Sequence, residues 1–392
     1  MKNFLIEPRD PLIARDGRPS ALGRFESLAF PLPSTIAGAA RTRMASAEGI
    51  FDLGPEQAAR LLELAVHGPL MVWLDETGQA SLYAPAPRDA VVLKGEGGDM
   101  RRYRLAPLQL PAGCYTDAPE RLEVLGFASG GWERIVKEKA FAGAPSFWPW
   151  TAFESWLTAP ADEDVFPGHE LGLGELVREA RTHLAIENGE RVAVEGALFA
   201  TEGLRFLQLA DPERCLAPFR LGLSFRAEDD GQGEMLGRPL QLRQELAPLG
   251  GERRLARWMP QESSWPALNE AVRCGVVEHR RCRVFLLTPG IFAEGALPRW
   301  NGTPFPGHPG VVATVKAAAL PRAAVVSGWD LRDGKPKPTR RLAAAGSVYF
   351  LELDGRPEDL EGWCESVWLR PVSDEEQDRR DGFGLAALGV WP

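Results

Sequence analysis

The stretch GSVYFLELDG at residues 346–355, followed by PEDLEGWCESVW at 357–368, decides the fold class. The first piece is an apolar run bounded by glycines and predicts a strand, and the second has the pattern of a helix. Strands mix with helices in this way elsewhere in the chain, but without the regular strand–helix alternation of a parallel, doubly wound sheet. The pattern therefore predicts an α+β protein.

The sequence predicts further strands on both sides of this stretch, at NFLIE (3–7), APFRLGLSFRAE (217–228), CRVFLLTPGIF (282–292), AAVVSGWDL (323–331) and LAALGVW (385–391). Helices are predicted at 31–49, starting at Pro33 and Ser34, and at 55–68, closed by Gly68. Hairpins are predicted at 69–85, with Thr77 and Gly78 near the turn, and at 182–209, with Asn188 and Gly189 as the turn. Together these elements predict two α+β domains with antiparallel sheets, at 1–212 with an insertion at about 85–180, and at 213–392.

Composition excludes several classes of protein. The 392 residues are 44% hydrophobic and 25% charged, which is typical of globular domains. The net charge of −9 argues against indiscriminate nucleic-acid binding but not against a local basic groove. The cysteines form no C-x-x-C motif and the histidines no H-E-x-x-H motif, so no metal site and no cofactor are predicted. The first residues turn charged too early for a signal peptide, and no apolar run has the length of a membrane span, so we expect a soluble cytoplasmic protein without a membrane partner.

Two basic segments are candidate phosphate-binding sites. The segment from Pro8 to Arg43 is rich in arginine, whose planar guanidinium suits phosphate, and includes Arg15, Arg18, Arg41 and Arg43. The segment 328–347 is a basic, proline-rich loop that carries Lys335, Lys337, Arg340 and Arg341. We expect its prolines to keep it extended along a phosphate backbone. The alternatives are a solvated loop for the first segment and an edge-protecting lysine loop for the second.

Two further features could carry function. His183, in the strand RTHLAIENGER (181–191), could be a general acid or base, although no second group completes an RNA-cleaving pair, and a structural histidine is the favoured alternative. The chain ends in DGFGLAALGVWP (381–392), with Gly382, Gly384 and Gly389. This glycine-rich loop lacks the continuation of a dinucleotide fingerprint and the Lys-Ser/Thr of a P-loop. It either brings backbone close to a ligand or allows tight packing of strands.

The order of these motifs along the chain resembles a known family. EPRDPLIARDGRPS (7–20) is followed by PLPSTIAGAARTR (31–43), RTHLAIENGE (181–190), SGWDLRDGKPKPTRRLAAAGSVYFLE (327–352) and DGFGLAALGVW (381–391). This order is similar to that of the RAMP (repeat-associated mysterious protein) subunit that is third in the Cmr module of type III-B CRISPR effector complexes. The terminal glycine loop is a signature of RAMP proteins at large.

The resemblance implies two ferredoxin-like (RRM-like) domains with loop insertions and no catalytic activity. It also implies binding of the repeat-derived 5′ tag of the CRISPR RNA (crRNA), and docking on the large polymerase/cyclase-like subunit and on the backbone RAMP subunit. The glycines at 382, 384 and 389 would then let main chain pass close to RNA or to a neighbouring domain. RRM domains stack bases on aromatic residues of the sheet. Phe127 and Trp132 are candidates here, with burial in the core as the favoured interpretation.

Two other functions remain open from the sequence. Relatives in the RAMP superfamily are endoribonucleases that process precursor crRNA, which would require a general acid and a general base, and His183 supplies only one such group. A purely scaffolding subunit would instead turn the same basic loops toward protein.

Overall fold

The structure is a computed structural model and describes residues 2–15, 24–47, 49, 54–95, 99–116, 122–130, 139–167, 170–187, 189–208, 219–228, 242–330 and 335–392. Its helices are α1 (Pro33–Ala47), α2 (Pro55–Glu63), α3 (Trp150–Thr158), α4 (Glu270–His279), α5 (Pro357–Val367) and α6 (Glu376–Arg380). Its strands are β1 (Lys2–Pro8), β2 (Arg24–Phe25), β3 (Ala65–Leu74), β4 (Ala80–Pro85), β5 (Ala90–Lys94), β6 (Asp99–Leu108), β7 (Val124–Phe127), β8 (Phe147–Pro149), β9 (Glu163–Pro167), β10 (Val177–Ile186), β11 (Ala193–Arg205), β12 (Leu207–Gln208), β13 (Phe219–Glu228), β14 (Glu245–Pro248), β15 (Leu255–Gln261), β16 (Arg281–Leu286), β17 (Pro304–Phe305), β18 (His308–Ala319), β19 (Ala324–Val326), β20 (Trp329–Asp330), β21 (Lys335–Pro336), β22 (Arg340–Leu342), β23 (Val348–Asp354) and β24 (Ala386–Val390).

The chain divides into two compact units, each assembled from three separate segments. Unit 1 contains residues 1–80, 175–263 and 325–341, and unit 2 contains 81–174, 264–324 and 342–392. The predicted boundary at 212/213 differs from this division, because the strand expected to begin the second domain, β13, pairs with both β1 and β3. Pairing between strands far apart in sequence leaves no local signal for such a boundary.

Unit 1 is built on an antiparallel sheet in the order β14-β15-β1-β13-β3. The central strand β1 is apolar on its inner face, where Phe4 stacks on Phe225 with ring centroids 5.2 Å apart. Helix α1 packs against β3, and its residues Ile36, Ala37 and Ala40 are fully buried. The small side chains predicted for this helix thus allow it to lie close to the sheet.

Unit 2 is built on an antiparallel sheet in the order β17-β18-β23-β16-β24. The stretch that decided the fold class forms its central strand β23 and the helix α5, as predicted. Phe350 of β23 and Trp363 of α5 are fully buried. The prediction of an α+β protein with mostly antiparallel sheets is confirmed.

The segment predicted to be an insertion at about 85–180 belongs to unit 2 up to Gly174, and its described residues form strands and a helix. It contains an antiparallel sheet in which β6 pairs with β5, β7 and β9, and it also contains helix α3. The sequence around β7 and β9 lacks a clear strand pattern for a physical reason. β7 is half-buried along its whole length, and on β9 the apolar Val165 lies on the exposed face while Asp164 lies on the half-buried one. The sequence pattern of such strands is close to that of loops.

A fully buried ion pair ties this segment to the central sheet of unit 2. Arg283 of β16 and Asp89 lie 2.6 Å apart, and both side chains are inaccessible to solvent. The other donors of Arg283 bond to the carbonyl oxygens of Trp156 and Val390, each at 2.6 Å, and the indole of Trp156 donates to the second oxygen of Asp89 at 2.9 Å. Burial lowers the pKa of the Arg283 guanidinium, and the carboxylate of Asp89 opposes that shift.

The second helix ends earlier than predicted. Helix α2 ends at Glu63 and β3 already begins at Ala65, so Gly68 lies inside a strand instead of closing the helix. A Cβ at Gly68 would lie 3.0 Å from the backbone oxygen of Ser224 and 3.3 Å from Phe225. The glycine therefore permits the close approach of β13, which the local sequence around it does not reveal.

Replacing Asp89 with alanine should destabilise the chain by about 3–5 kcal/mol, because Arg283 would stay buried without its carboxylate. The measurement is chemical denaturation followed by tryptophan fluorescence. Glu56→Ala, which removes the carboxylate of the exposed Arg60–Glu56 pair, serves as control and should leave the midpoint nearly unchanged. Equal midpoints for the two variants would contradict the role of the buried pair.

Candidate nucleic-acid interface

The basic segment 335–341 lies on an exposed hairpin of unit 1. Strand β21 pairs with β20 through Lys335 and Asp330, and the amide of Lys337 donates to the oxygen of Gly328 at 2.7 Å. The segment is therefore folded back in a hairpin, whereas the sequence predicted an extended loop. All four predicted side chains are exposed, namely those of Lys335, Lys337, Arg340 and Arg341.

Two of these cations are not neutralised by a neighbouring carboxylate. Within the described ranges, the side chains of Lys337 and Arg341 form no hydrogen bond or ion pair. Exposed cations on a β-hairpin attract an anionic backbone without first breaking internal pairs. This hairpin is accordingly the strongest local basic feature among the predicted sites.

The arginines predicted in the N-terminal segment have different environments. Arg15 is exposed and pairs with Glu252 at 2.7 Å, and Arg43 is partly exposed and lies 3.9 Å from Glu245. Arg41 is buried, and its guanidinium donates two hydrogen bonds to the carbonyl oxygen of Leu64, at 3.1 and 2.7 Å. Arg18 lies outside the described residues.

The prediction that Arg41 binds RNA is therefore corrected. Its guanidinium is directed into unit 1, where it satisfies the backbone at the end of α2. A helical pattern of small residues does not distinguish an inward-facing arginine from an outward-facing one.

His183 lies on the long hairpin formed by β10 and β11 in unit 1. Its Nε2 is 2.8 Å from Oγ1 of Thr201, and its ring stacks on Phe199 with centroids 5.0 Å apart and an interplanar angle of 15°. Both rings are partly exposed. The pair forms a flat aromatic surface of the kind on which a nucleobase can stack.

The sequence does not predict that Phe199 lies beside His183, because the register of the hairpin differs from the one that its turn residues indicate. A two-residue turn at Asn188 and Gly189, the first of which lies outside the described residues, would place Val194 opposite His183. In the structure Ile186 pairs with Ala193, and a register shift between Leu184 and Ile186 then brings Phe199 opposite His183. The sequence feature that could have indicated this register shift is Gly196, because a glycine inside a strand often marks an irregularity. Its φ of +75° in the structure agrees with this.

The two faces of this hairpin differ in chemistry. His183, Phe199, Arg181 and Thr201 share one face. The opposite face presents Leu184, Leu198 and Ile186, which are 49%, 64% and 59% exposed. Neighbouring apolar side chains that are this exposed mark a surface for interaction.

The glycine-rich loop at the end of the chain is buried in unit 2. The backbone oxygen of Gly382 accepts a hydrogen bond from Thr288 at 2.7 Å, and the amide of Gly384 donates to the oxygen of Pro289 at 2.8 Å. A Cβ at Gly384 would lie 2.7 Å from Oγ of Ser373. At Gly389 it would lie 2.9 Å from the ring of Phe285.

The expectation that these glycines bring backbone close to RNA is corrected by these distances. The close approaches at Gly384 and Gly389 are made to protein, and Gly382 and Gly384 also require a positive φ, of +88° and +80°. Tight packing, the alternative given above, accounts for these glycines. Of the remaining aromatic candidates, Phe127 packs edge-on against Tyr103, and Trp132 lies outside the described residues.

Grouped metal ligands are absent from the part of the chain that the structure describes, and its two buried cysteines are not reactive thiols. There, no three His, Cys, Asp or Glu side chains are grouped as a metal site would require. Burial raises the pKa of the Cys282 thiol and raises that of Cys364 to about 12, so both thiols stay protonated. No helix within the described ranges combines the length and apolarity needed to cross a bilayer.

Gly384→Ala should lower the stability of the free chain by about 1–3 kcal/mol, because the new Cβ meets Ser373 in a backbone conformation that already disfavours side chains. Thermal unfolding of the free chain measures the effect. Gly295→Ala is the matched control, since Gly295 has the same φ of +80° but nothing within 4 Å of its Cβ position. Equal destabilisation of the two variants would mean that the contact of the new Cβ with Ser373 does not contribute to the loss of stability.

Comparison with known proteins places these features in a family. The family model described as CRISPR-associated protein (Cas_Cmr3) matches residues 4–391. Among solved structures, the chain is similar to one in "Cryo-EM structure of the Type III-B Cmr-beta bound to cognate target RNA and AMPPnP, state 1", with 14% identity, coverage of 89% of this chain and 86% of that chain, and a TM-score of 0.45. It is also similar to a chain of the Csm3–Csm4 subcomplex of a type III-A CRISPR–Cas interference complex, with 10% identity, coverage of 91% and 94%, and a TM-score of 0.35. No curated protein matches the chain. The chain therefore belongs to the Cas_Cmr3 family of CRISPR-associated proteins, which confirms the RAMP family recognised from its sequence motifs.

Proposed function

We propose that this chain is a non-catalytic, RNA-binding subunit of a type III-B CRISPR effector complex. In this function it binds the 5′ tag of the crRNA and docks the large polymerase/cyclase-like subunit onto the backbone RAMP subunit. Membership of the Cas_Cmr3 family supports the assignment to the complex. The observation that supports RNA binding is that one unit contains several exposed basic groups together with a pair of partly exposed aromatic rings.

These groups come from segments far apart in sequence. Unit 1 contains the basic hairpin with Lys337 and Arg341, the His183–Phe199 pair, the exposed Arg15 and the partly exposed Arg43. Cations that follow a phosphate backbone, combined with aromatic rings that stack on bases, are the usual elements of single-strand recognition. In a protein with a net charge of −9, such exposed groups favour binding of RNA to unit 1 over binding to the acidic parts of the chain.

The strand order supports the ferredoxin-like assignment for both units. In unit 1 the order β15-β1-β13-β3 places the fourth strand along the chain beside the first, and the third between the first and the second. In unit 2 the order β24-β16-β23-β18 repeats this arrangement. Helix α1 connects the first two strands of unit 1, and α5 connects the last two of unit 2, as in a β-α-β-β-α-β unit.

The surroundings of His183 favour binding over cleavage. An RNA-cleaving pair requires a second acid or base within reach of the ribose and phosphate, whereas this imidazole lies against the hydroxyl of Thr201 and the ring of Phe199. A threonine hydroxyl does not titrate near neutral pH. We therefore assign His183 to stacking and hydrogen bonding rather than to proton transfer.

The apolar face of the β10–β11 hairpin supports docking on a protein partner. Leu184 and Leu198 are directly opposite each other, and Ile186 continues their face toward the tip. Burying each leucine fully would contribute about 1–2 kcal/mol to association. One hairpin thus carries an aromatic face for RNA and an apolar face for a neighbouring subunit.

Replacing Lys335, Lys337, Arg340 and Arg341 together with glutamine should weaken retention of crRNA in the assembled complex and lower its salt dependence. Each phosphate of a single strand that is no longer neutralised lowers the slope of log K against log salt by roughly 0.7, so the slope should fall by up to about 2.8. Binding of labelled crRNA to the reconstituted complex at several salt concentrations measures this.

The salt dependence of binding and a separate cleavage test distinguish the competing functions. An unchanged slope would assign the basic hairpin to a protein interface or to solvent. The length of the RNA is read after incubation with the purified chain, with and without Mg²⁺, and we expect intact RNA. Cleavage that disappears in His183→Ala would instead identify a processing endoribonuclease.

Leu184→Asp combined with Leu198→Asp should reduce incorporation of the chain into the complex, because two carboxylates would be buried in an apolar interface. Co-purification of the chain with the large and backbone subunits measures incorporation. Leu246→Asp is the control, since Leu246 is 61% exposed and lies in the same unit but outside the hairpin. Equal incorporation of wild type, double variant and control would exclude the hairpin as a docking surface.

A further inference from the structure

We propose that a cluster of arginines around the buried Glu7 in unit 1 is a further binding site for a phosphate group of the RNA. The cluster consists of Arg9, Arg220 and Arg257 with Glu7 at its centre, and we call it the Glu7 cluster. Arg9 lies in the arginine-rich segment 8–43 that the sequence indicated as a candidate phosphate-binding site, whereas Arg220 and Arg257 lie outside the predicted sites. The proposal rests on the proposed function, since it names an additional contact of unit 1 with the same RNA.

Glu7 holds two of the arginines in place. Its side chain is only 4% exposed, and its Oε1 accepts a hydrogen bond from Nη1 of Arg220 at 2.9 Å and from Nη1 of Arg9 at 3.3 Å. Arg220 is fixed a second time, because its Nη2 donates to the carbonyl oxygen of Asp75 at 3.1 Å. A buried carboxylate needs such partners, and in return it orients the guanidiniums.

Both arginines nevertheless remain accessible. The side chain of Arg9 is 52% exposed and that of Arg220 is 38% exposed, although each contacts a carboxylate that solvent barely reaches. A guanidinium carries five N–H donors, and the bonds of Arg220 to Glu7 and Asp75 use two of them. The remaining donors are oriented before any ligand binds, which reduces the conformational entropy that binding costs.

Arg257 completes the cluster and makes its charge unbalanced. It is directly opposite Glu7 in the pairing of β1 with β15, so the two side chains share one face of the sheet. Among the described residues, the Arg257 side chain forms no ion pair or hydrogen bond. The side chains of the cluster are thus three guanidiniums and one carboxylate, and a phosphate offers the oxygens that match the geometry of the guanidiniums.

The turn between β14 and β15 extends this positive surface. Glu252 and Arg253 both have a positive φ, of +57° and +50°, which is uncommon for residues with side chains. Glu252 pairs with Arg15, one of the predicted RNA-binding residues, whereas the exposed Arg253 has no partner within the described ranges. The strained turn thus presents a further cation on the hairpin that carries Arg257, and it connects the cluster with the N-terminal basic segment.

The test uses Arg9→Gln combined with Arg257→Gln, which leaves the Arg220–Glu7 pair intact and so protects the fold. In the complex reconstituted with the full chain, the slope of log K against log salt for crRNA binding should fall by about 1.4, which corresponds to two phosphates at about 0.7 each. The matched control is Arg60→Gln combined with Arg322→Gln, which removes two exposed arginines of the same charge from other surfaces and should leave the slope unchanged.

The outcomes separate this proposal from the proposed function. If the slope falls in the basic-hairpin variant but not in Arg9→Gln/Arg257→Gln, the Glu7 cluster binds no phosphate and the proposed function stands. If complexes with and without this chain bind crRNA with the same affinity and slope, both are overturned. Should the glutamine variant unfold, Arg9→Lys combined with Arg257→Lys keeps both charges but lacks the forked donors. We then expect a retained slope with weaker binding, and unchanged affinity would overturn the proposal.

Discussion

The ion pair between Arg283 and Asp89 connects residues nearly 200 positions apart. Removing two charges from water costs several kcal/mol for each, and this cost is offset only when every donor and acceptor finds a partner. Here the guanidinium meets one carboxylate and two carbonyl oxygens, and the carboxylate also receives the indole N–H of Trp156. Such a site tolerates one arrangement of the chain, because any other leaves a buried charge unpaired.

This constraint explains why the segment 81–174 folds with the C-terminal part of the chain. Asp89 enters from that segment, Trp156 comes from its helix α3, and Arg283 comes from the central sheet of unit 2. The last strand is held in the same network through the oxygen of Val390. The glycine-rich loop just before that strand is fixed by Thr288 and Ser373, so residues 382–389 are part of the packed interior of unit 2.

The parts of the fold that the sequence predicted are those with a local signal. The strands at β1, β13, β23 and β24 and the helices α1 and α5 follow from apolar runs and capping residues. The division of the chain into two units cannot be predicted in this way, because it depends on pairings between strands far apart in sequence, such as β13 with β1. The residues of the candidate site also differ in whether a local sequence signal predicts them. The basic segment 335–341 was predicted from composition, but as an extended loop. Its hairpin fold, the inward direction of Arg41 and the position of Phe199 opposite His183 depend on packing and register.

The two units differ in the use they make of charge. In unit 2 the central arginine is buried and neutralised, and glycine serves to bring protein segments together. In unit 1 several cations remain at the surface, although Arg41 is buried, and the buried carboxylate of Glu7 orients guanidiniums instead of cancelling them all. Oriented cations discriminate the path of an anionic backbone, whereas mobile ones only attract it, so this arrangement suits the RNA-binding role proposed for the chain. In that proposed role, the acidic remainder of the chain would limit binding of RNA outside the cationic surface.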